Sequence, residues 1–177
     1  MNTKEEILSI LRTVEVDGMD NVIKWLCDDS DFFIAPASSM YHLNIKGGLS
    51  IHSLSVYKTL DKLCETFGIA IPTRTKKITG ILHDVCKTNT YFEKTVPDKY
   101  GSYYRDDKFP IGHGDKSVII LLNNGLKMTE EEMLMIRWHM YMYDESYPRS
   151  SKYIRKVCPN AKILSFADDI STTYLEE

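Results

Sequence analysis

Histidine and aspartate side chains at regular intervals are the part of this 177-residue sequence best suited to chemistry. In chain order they are His52, the adjacent pair His83-Asp84, His113, His139 and Asp168. Roughly 30 residues separate each group from the next, which is about the length of one helix and the segment that leads back to the same end of the bundle. Helices that alternate in direction can each point one side chain into a shared cavity, and imidazole and carboxylate together suit divalent transition metals. The spacing therefore favours a metal site inside a helical bundle.

Each of these residues, taken alone, also has a purely structural explanation. His52 suits a hydrogen-bonded core histidine, Asp168 suits a helix-surface acid, and His113 suits a loop position between two glycines. The pair His83-Asp84 differs because it follows the apolar Ile81 and Leu82. Two polar side chains next to apolar, buried residues are unfavourable unless they have partners. Binding of a metal by the neighbouring nitrogen and oxygen atoms would explain their position.

Helical patterns cover most of the chain around these residues. Apolar residues recur at helical spacing, and the predicted helices span about 4–14, 20–26, 49–67, 73–82, 112–124, 129–138, 150–157 and 159–170. Thr3 with Glu6, and Thr129 with Glu132, predict capping boxes at two of the starts. The period is lost from residue 88 to 110, where aromatic and charged residues alternate with turn signals. The sequence predicts a mostly α bundle of six to eight helices with a small β-hairpin or loop insertion near residues 88–110.

Length and charge narrow the class of protein. The chain is expected to form one domain over residues 1–177, with a helical extension at 1–30 and a metal-site core at about 42–171. A net charge of −3 argues against stable binding of duplex nucleic acid. The chain lacks a long apolar run and a basic signal region, which predicts a cytoplasmic protein without membrane attachment. Four widely spaced cysteines without a CxxC pair predict reduced core thiols.

The ordered set of histidines and aspartates resembles the HD-domain metal-dependent phosphohydrolases, and within them the branch with two metals. The segments that carry the resemblance are GGLSIHSLSV (47–56), ILHDVCK (81–87), IGHGDKS (111–117), RWHM (137–140) and LSFADDIS (164–171). The GGL-x-x-H segment is closest to the HD domains of bacterial 3′ to 5′ exoribonucleases. Those proteins add an OB-fold module, for which this chain is expected to lack room.

The resemblance implies two divalent ions, with Mn, Fe, Ni, Co and Zn all compatible with the donors. One ion is assigned to His52, His83, Asp84 and Asp168, and the other to His113, His139 and the bridging Asp84. Asp169 is the alternative to Asp168 if the last helix is rotated by one residue. Two such ions would activate a water for hydrolysis, which makes Asp84 part of the catalytic centre.

Three further residues are candidates for contact with the substrate. Lys87 matches the HDxxK lysine that approaches the substrate phosphate in this family and is assigned a catalytic role, although a solvated lysine in a last helical turn explains its position equally well. His42 resembles a histidine near the active site of the exoribonuclease branch. Tyr143 belongs to a group of tyrosines that could stack on a nucleobase, and a packing layer is the alternative for most of that group.

The resemblance leads to three hypotheses about function. The first is a phosphohydrolase that cleaves a phosphomonoester or phosphodiester of a nucleotide or short oligonucleotide with a metal-activated water. The second is an HD-type diiron oxygenase, and the third is a catalytically inactive nucleotide-binding sensor. The complete ligand set weighs against the sensor, and Lys87 with the basic stretch 149–162 favours a phosphate-bearing substrate over an uncharged one. Oligomeric state and exact substrate stay open.

Overall fold

Helices make up most of the computed structural model, which describes residues 2–141 and 147–176 of the chain. These residues form eight α-helices: α1 Thr3–Leu11, α2 Met19–Asp28, α3 Gly48–Phe67, α4 Thr73–Leu82, α5 His113–Asn123, α6 Glu130–Arg137, α7 Tyr147–Val157 and α8 Asn160–Ile170. Between α4 and α5 lie a 3₁₀ turn, Val85–Lys87, and an antiparallel hairpin of β1 Tyr91–Asp98 and β2 Gly101–Arg105. A π-helical turn, Ser171–Leu175, follows α8. The predicted fold class, a mostly α bundle with a small insertion, is confirmed.

The N-terminal cap of α1 lies one residue earlier than predicted. Asn2 accepts a hydrogen bond from the backbone N–H of Glu5, and the Glu5 side chain accepts one from the N–H of Asn2. The predicted pair of Thr3 and Glu6 is therefore wrong. Asparagine caps a helix at least as well as threonine, and two acidic residues in succession make either register possible in the sequence. The box of Thr129 and Glu132 at α6 is confirmed.

Two other helix starts differ from the sequence pattern. α2 begins at Met19, directly after Gly18 in a left-handed conformation (φ 86°), so Asp20 is in the first turn and is not the cap. α7 begins at Tyr147, before the predicted position, and contains Pro148. A proline is tolerated in the first helical turn because the N–H groups there have no partner within the helix.

The buried apolar side chains form two clusters, and α3 contributes to both. The first joins α1, α2, α3 and α4 and includes Ile7, Leu11, Val22, Leu26, Leu49, Ile78, Ile81 and Leu82. The second joins α3, α6, α7 and α8 and includes Val56, Leu60, Met135, Ile154 and Leu164. On α3, His52 lies between Leu49 of the first cluster and Val56 of the second, so a histidine interrupts the apolar face where the clusters meet. No helix among the described residues is long and apolar enough to cross a membrane.

Two glycines allow the close helix contacts that bring the histidines together. A Cβ at Gly80 of α4 would lie 2.7 Å from the Cα of Tyr57 on α3, and one at Gly114 of α5 would lie 2.2 Å from the carbonyl oxygen of Arg137 at the end of α6. Real Cβ atoms cannot approach a backbone so closely. The absence of a side chain at these two positions therefore lets α4 pack directly on α3, and α5 on α6.

Candidate metal centre

The predicted site residues come from five different parts of the bundle. His52 lies in the middle of α3, and Asp168 lies on α8. His83 is the C-cap of α4, and the chain leaves the helix at Asp84 (φ −107°, ψ 16°) to enter the 3₁₀ turn. His113 is the first residue of α5, and His139 follows the C-cap of α6. The structure brings all six side chains into one buried cluster. Within each group of three, the potential ligand atoms lie within 4.8 Å of one another.

One oxygen of Asp84 faces the side of the cluster formed by α3, α4 and α8. Oδ2 of Asp84 lies 3.4 Å from Nε2 of His52 and 3.6 Å from Nε2 of His83. The two imidazole nitrogens are 3.3 Å apart, and Nε2 of His52 lies 3.2 Å from Oδ1 of Asp168. His52, His83 and Asp168 therefore have potential ligand atoms close enough to share one ion, with Oδ2 of Asp84 beside the two histidines.

The other oxygen of Asp84 faces the two remaining histidines. Oδ1 lies 2.5 Å from Nε2 of His113 and 3.4 Å from Nε2 of His139. Donors bound to one metal at about 2.1 Å must lie roughly 3.0 to 3.4 Å apart, depending on whether the geometry is octahedral or tetrahedral. Most of the distances around Asp84 fall close to that range, and its carboxylate is oriented to serve two groups of donors at once.

Hydrogen bonds to the Nδ1 atoms of His83 and His139 determine which ring nitrogen can bind a metal. Nδ1 of His83 donates to the carbonyl oxygen of Gly80 at 3.0 Å, and Nδ1 of His139 donates to that of Ile136 at 2.7 Å. Since a carbonyl oxygen can only accept, the proton must be on Nδ1, and the lone pair of Nε2 is directed into the cluster. Histidines that bind metals through Nε2 are held in this way by an acceptor at Nδ1.

His52 is held by a carboxylate that the sequence analysis did not select. Both oxygens of Glu176 lie 3.0 Å from Nδ1 of His52, and the Glu176 side chain is only 2% exposed. Glu176 directly follows the π-helical turn after α8. Nothing in the spacing of the sequence distinguishes this glutamate from an exposed acid, because its partner is on α3, far away in the chain.

Three buried side-chain nitrogens have no hydrogen-bond partner among the residues that the structure describes: Nε2 of His42, Nε of Arg74 and Nε2 of His139. Nε2 of His139 is buried and accepts no hydrogen bond, although it points towards Asp84. A buried polar atom left in this state costs about 1 to 3 kcal/mol. A divalent cation between His139, His113 and Asp84 would satisfy it, so the residues present fit a metal ion.

A thiol also lies beside the cluster. Sγ of Cys86 is 3.5 Å from Nδ1 of His113, and Asp84, Cys86 and His113 together have donors close enough to share an ion. The sequence analysis treated Cys86 only as a core thiol. It is buried and free, as are Cys64 and Cys158, but its position two residues after Asp84 was a signal that it lies near the site.

The remaining candidates lie at the edge of the cluster. Nζ of Lys87 is 2.6 Å from Oδ2 of Asp84, with 14% of the side chain exposed. The ring of His42 is centred 5.1 Å from that of His52, and its Nε2 is 3.9 Å from Oε2 of Glu176. On α8, Asp168 and not Asp169 contacts His52. The substrate contact predicted for Tyr143 lies outside the described residues.

Burial and mutual charge set the protonation of the histidines. Burial lowers the pKa of His83 to about 3, so this imidazole is neutral, as a metal ligand must be. Burial also acts to lower the pKa of His52, but hydrogen bonds to Asp168, Asp84 and Glu176 raise it well above its ordinary value. His113 behaves in the same way: burial opposes protonation, yet Cys86 and Asp84 raise its pKa to about 10.

The carboxylates and Lys87 shift in the complementary direction. Burial acts to raise the pKa of Asp84 and of Asp168, but Lys87 and the histidines around Asp84, and His52 beside Asp168, hold both well below the ordinary value. The pKa of Lys87 is raised, because the charge of Asp84 outweighs the cost of burial. The metal-free cluster therefore balances its carboxylate charge with protons on His52 and His113, and a divalent cation would displace those protons.

A cavity of about 750 Å³ leads from the surface to the cluster. Its inner wall is formed by Asp84, Lys87, His113, His139 and Asp168. Its outer wall carries an aromatic ring and three hydroxyl groups, from Tyr41, Ser165, Thr172 and Thr173. This volume lies in the range of pockets that bind small molecules and cofactors. We refer to this cavity as the cleft.

The helices of this protein enclose a histidine–aspartate cluster whose side chains are compatible with binding of divalent cations. The model of the HD domain family matches residues 49–173, so the chain belongs to the HD family. HD domains are in general metal-dependent phosphohydrolases, and the cluster around Asp84 is compatible with divalent metal binding. No curated protein and no solved structure gives a significant match to the chain.

Proposed function

We propose that this protein is a phosphohydrolase that uses two divalent metal ions to hydrolyse a phosphomonoester or phosphodiester of a nucleotide. The observation that carries the proposal is the position of Asp84 between two groups of donors. Its Oδ2 faces His52 and His83, and its Oδ1 faces His113 and His139. A carboxylate with a separate set of imidazoles at each oxygen is suited to bridging two cations.

In this proposal His52, His83, Asp84 and Asp168 hold one ion, and His113, His139 and Asp84 hold the other. When bound, a pair of divalent ions makes water nucleophilic at neutral pH and neutralises charge on a phosphoryl group. The oxygen of the water joins the phosphorus, the ester P–O bond breaks, and the leaving oxygen takes up a proton. No nucleophilic side chain is needed for this reaction.

Lys87 supports a phosphate-bearing substrate. Its ammonium group is mostly buried at the inner wall of the cleft, beside Asp84. If Asp84 binds cations, the charge that now pairs with Lys87 is shared with them, and the lysine becomes available to a phosphoryl oxygen. Its Nζ would then stabilise the negative charge that develops during hydrolysis.

The outer part of the cleft supports a nucleotide. Tyr41 is 76% exposed at its rim and can offer its ring to a base, while the hydroxyl groups of Ser165, Thr172 and Thr173 can bond to a sugar. His42 lies between this rim and His52. The likeness of residues 47–52 to exoribonuclease HD domains extends the proposed substrates to short phosphodiesters.

The test is a panel of substrates and metals with the purified protein. Release of phosphate from nucleoside monophosphates, or of nitrophenol from bis-p-nitrophenyl phosphate, is expected with at least one of Mn, Fe, Co, Ni and Zn. Asp84→Ala should abolish the activity without unfolding the protein. Asp28→Ala, at an exposed position at the end of α2, is the matched control and should leave it unchanged.

Two results would reject the proposal in favour of the alternatives. Consumption of dioxygen by the iron-loaded protein without release of phosphate would indicate an HD-type diiron oxygenase. Binding of nucleotides without turnover under every metal condition would indicate a sensor.

A further inference from the structure

A second, smaller cavity shares two residues with the cleft. It has a volume of about 140 Å³ and lies between the end of the hairpin and the start of α5. Lys87 and His113 line both cavities. The remaining wall of the small cavity includes Thr90, Tyr91, Arg105, Asp107 and Lys116. Lys87 and His113 therefore form the boundary between the small cavity and the metal cluster.

Basic side chains outnumber acidic ones in this small cavity. Lys87, Arg105 and Lys116 all line it, and Asp107 is the only carboxylate among the described lining residues. Asp107 is shared, because its Oδ2 lies 2.9 Å from Arg105 and its Oδ1 lies 2.6 Å from Lys116. One carboxylate cannot neutralise two cations. The cavity therefore has an excess of positive charge.

Burial strengthens the effect of two of these cations, Lys87 and Lys116, whereas the side chain of Arg105 is 58% exposed. Lys116 is only 8% exposed, and Lys87 is also largely removed from solvent. A charge in such surroundings is screened less by water and interacts more strongly with an anion. The carboxylate that pairs with Lys87 is Asp84, which the proposed metals would also bind. Loading of the cluster would thus increase the positive potential in the small cavity.

The cavity is large enough to admit a phosphoryl group. Its volume of about 140 Å³ exceeds the roughly 30 Å³ that one water molecule occupies in the liquid, and a phosphate contains five non-hydrogen atoms. Its wall also carries charged hydrogen-bond donors that suit phosphate oxygens, namely the guanidinium group of Arg105 and the ammonium group of Lys116. Arg105 is the last residue of β2 and pairs in register with Tyr91, so the hairpin determines its position.

We propose that the small cavity binds a second phosphoryl group of the substrate, next to the one held at the metal cluster. This assignment rests on the proposed function and gives it a substrate class: nucleotides with two or more consecutive phosphates, such as nucleoside diphosphates. The nucleoside occupies the cleft, and Lys87 lies between the two phosphoryl positions. Arg105 is then a residue that determines specificity.

The test compares two substrates that differ by one phosphate. For Arg105→Ala, kcat/KM for adenosine diphosphate should fall roughly 10- to 100-fold, because a charge-assisted bond to the second phosphate is lost. The value for adenosine monophosphate should stay within about twofold. Lys108→Ala is the matched control: this cation is 80% exposed, pairs with Asp106 and does not line the cavity, so neither substrate should be affected.

A binding measurement separates this assignment from the proposed function. With manganese-loaded protein, calorimetry should show tighter binding of pyrophosphate than of phosphate, and Arg105→Ala should weaken only pyrophosphate. An equal loss for both ligands, or for both nucleotides, would overturn the assignment. If no substrate is hydrolysed but the selective effect on pyrophosphate is observed, the hydrolase proposal fails and the anion site stands.

Discussion

Removal of the Glu176 side chain should weaken metal binding at a distance from the metal. Both carboxylate oxygens lie 3.0 Å from Nδ1 of His52, in surroundings that exclude water. A hydrogen bond to a charged group contributes about 1.5 to 3 kcal/mol. The bond also fixes the ring orientation of His52 and keeps its proton on Nδ1, which makes the lone pair of Nε2 a better ligand in the metal-loaded protein.

The part of that energy that differs between the two states appears as metal affinity. A difference of about 1.4 to 2.7 kcal/mol corresponds to a 10- to 100-fold larger dissociation constant for the metal. This range is typical for loss of a residue that hydrogen-bonds to a metal ligand. Glu176→Ala should show the larger effect, because it also leaves the Nδ1–H of His52 without an acceptor. Glu176→Gln keeps a carbonyl acceptor and should lose about tenfold.

The assay is a competition between the protein and a chelator for manganese or zinc, together with thermal unfolding of the metal-free protein. Glu65→Gln is the matched control, because this glutamate lies on α3 with His52 but its side chain is 75% exposed. Affinities of both Glu176 variants equal to that of the wild-type protein would refute the role of this carboxylate. So would a loss that Glu65→Gln reproduces.

Three more outcomes test the site and its surroundings. Asp168→Asn should lower the amount of divalent metal retained per chain after dialysis, measured by mass spectrometry, whereas Asp169→Asn should not; equal content in both would contradict the ligand assignment. Lys87→Ala should lower kcat/KM for a phosphate ester about 10- to 100-fold with unchanged metal content, and a similar loss with an uncharged substrate would argue against a contact with phosphate. Asp107→Asn should reduce the free energy of unfolding at pH 7 by about 1 to 2 kcal/mol. Burial acts to raise the pKa of Asp107, but hydrogen bonds from Lys116, the backbone N–H of Phe109 and Arg105 outweigh it and lower the pKa to about 2 from its ordinary 3.8. A lowered folded-state pKa stabilises the protein above the ordinary pKa and loses this effect as the pH falls, so urea unfolding should show the difference halved near pH 3 and nearly absent at pH 2; a constant difference would contradict the ion pair.

The cations around the cluster indicate its chemistry more specifically than the metal ligands do. Imidazole and carboxylate accept several divalent metals, and the same donors suit either hydrolysis or oxygen activation. The cations around the cluster are more specific. Lys87 at the inner wall and the excess of basic groups beside Arg105 favour an anionic substrate over an uncharged one.

The sequence was sufficient for the mostly α fold and for the membership in the HD family. Both depend on information that is local in the chain: helical periodicity, the Thr129 box, the loss of period at 88–110, and short motifs such as ILHDVCK. The boundary errors at α1 and α2 came from adjacent residues that can each begin a helix, whereas α7 begins three residues before the predicted Ser150. Alternative helix starts one or two residues apart differ little in free energy, so the packing of the helix decides between them.

The geometry of the site depended on contacts between distant parts of the chain. Spacing indicated that His52, His83, His113 and His139 could meet, and the family resemblance implied that Asp84 bridges two groups of ligands. The distances from each oxygen of Asp84 to its own histidines required the packing of α3, α4, α5 and α6. Glu176 was not found in the sequence, since its partner His52 is 124 residues away in the chain. Arg105 was not found because the cavity that it lines forms only when the hairpin packs beside Lys87 and the start of α5. Periodicity shows which side of a helix is buried, whereas the positions of donor atoms to within an ångström arise only when several helices and the hairpin pack together.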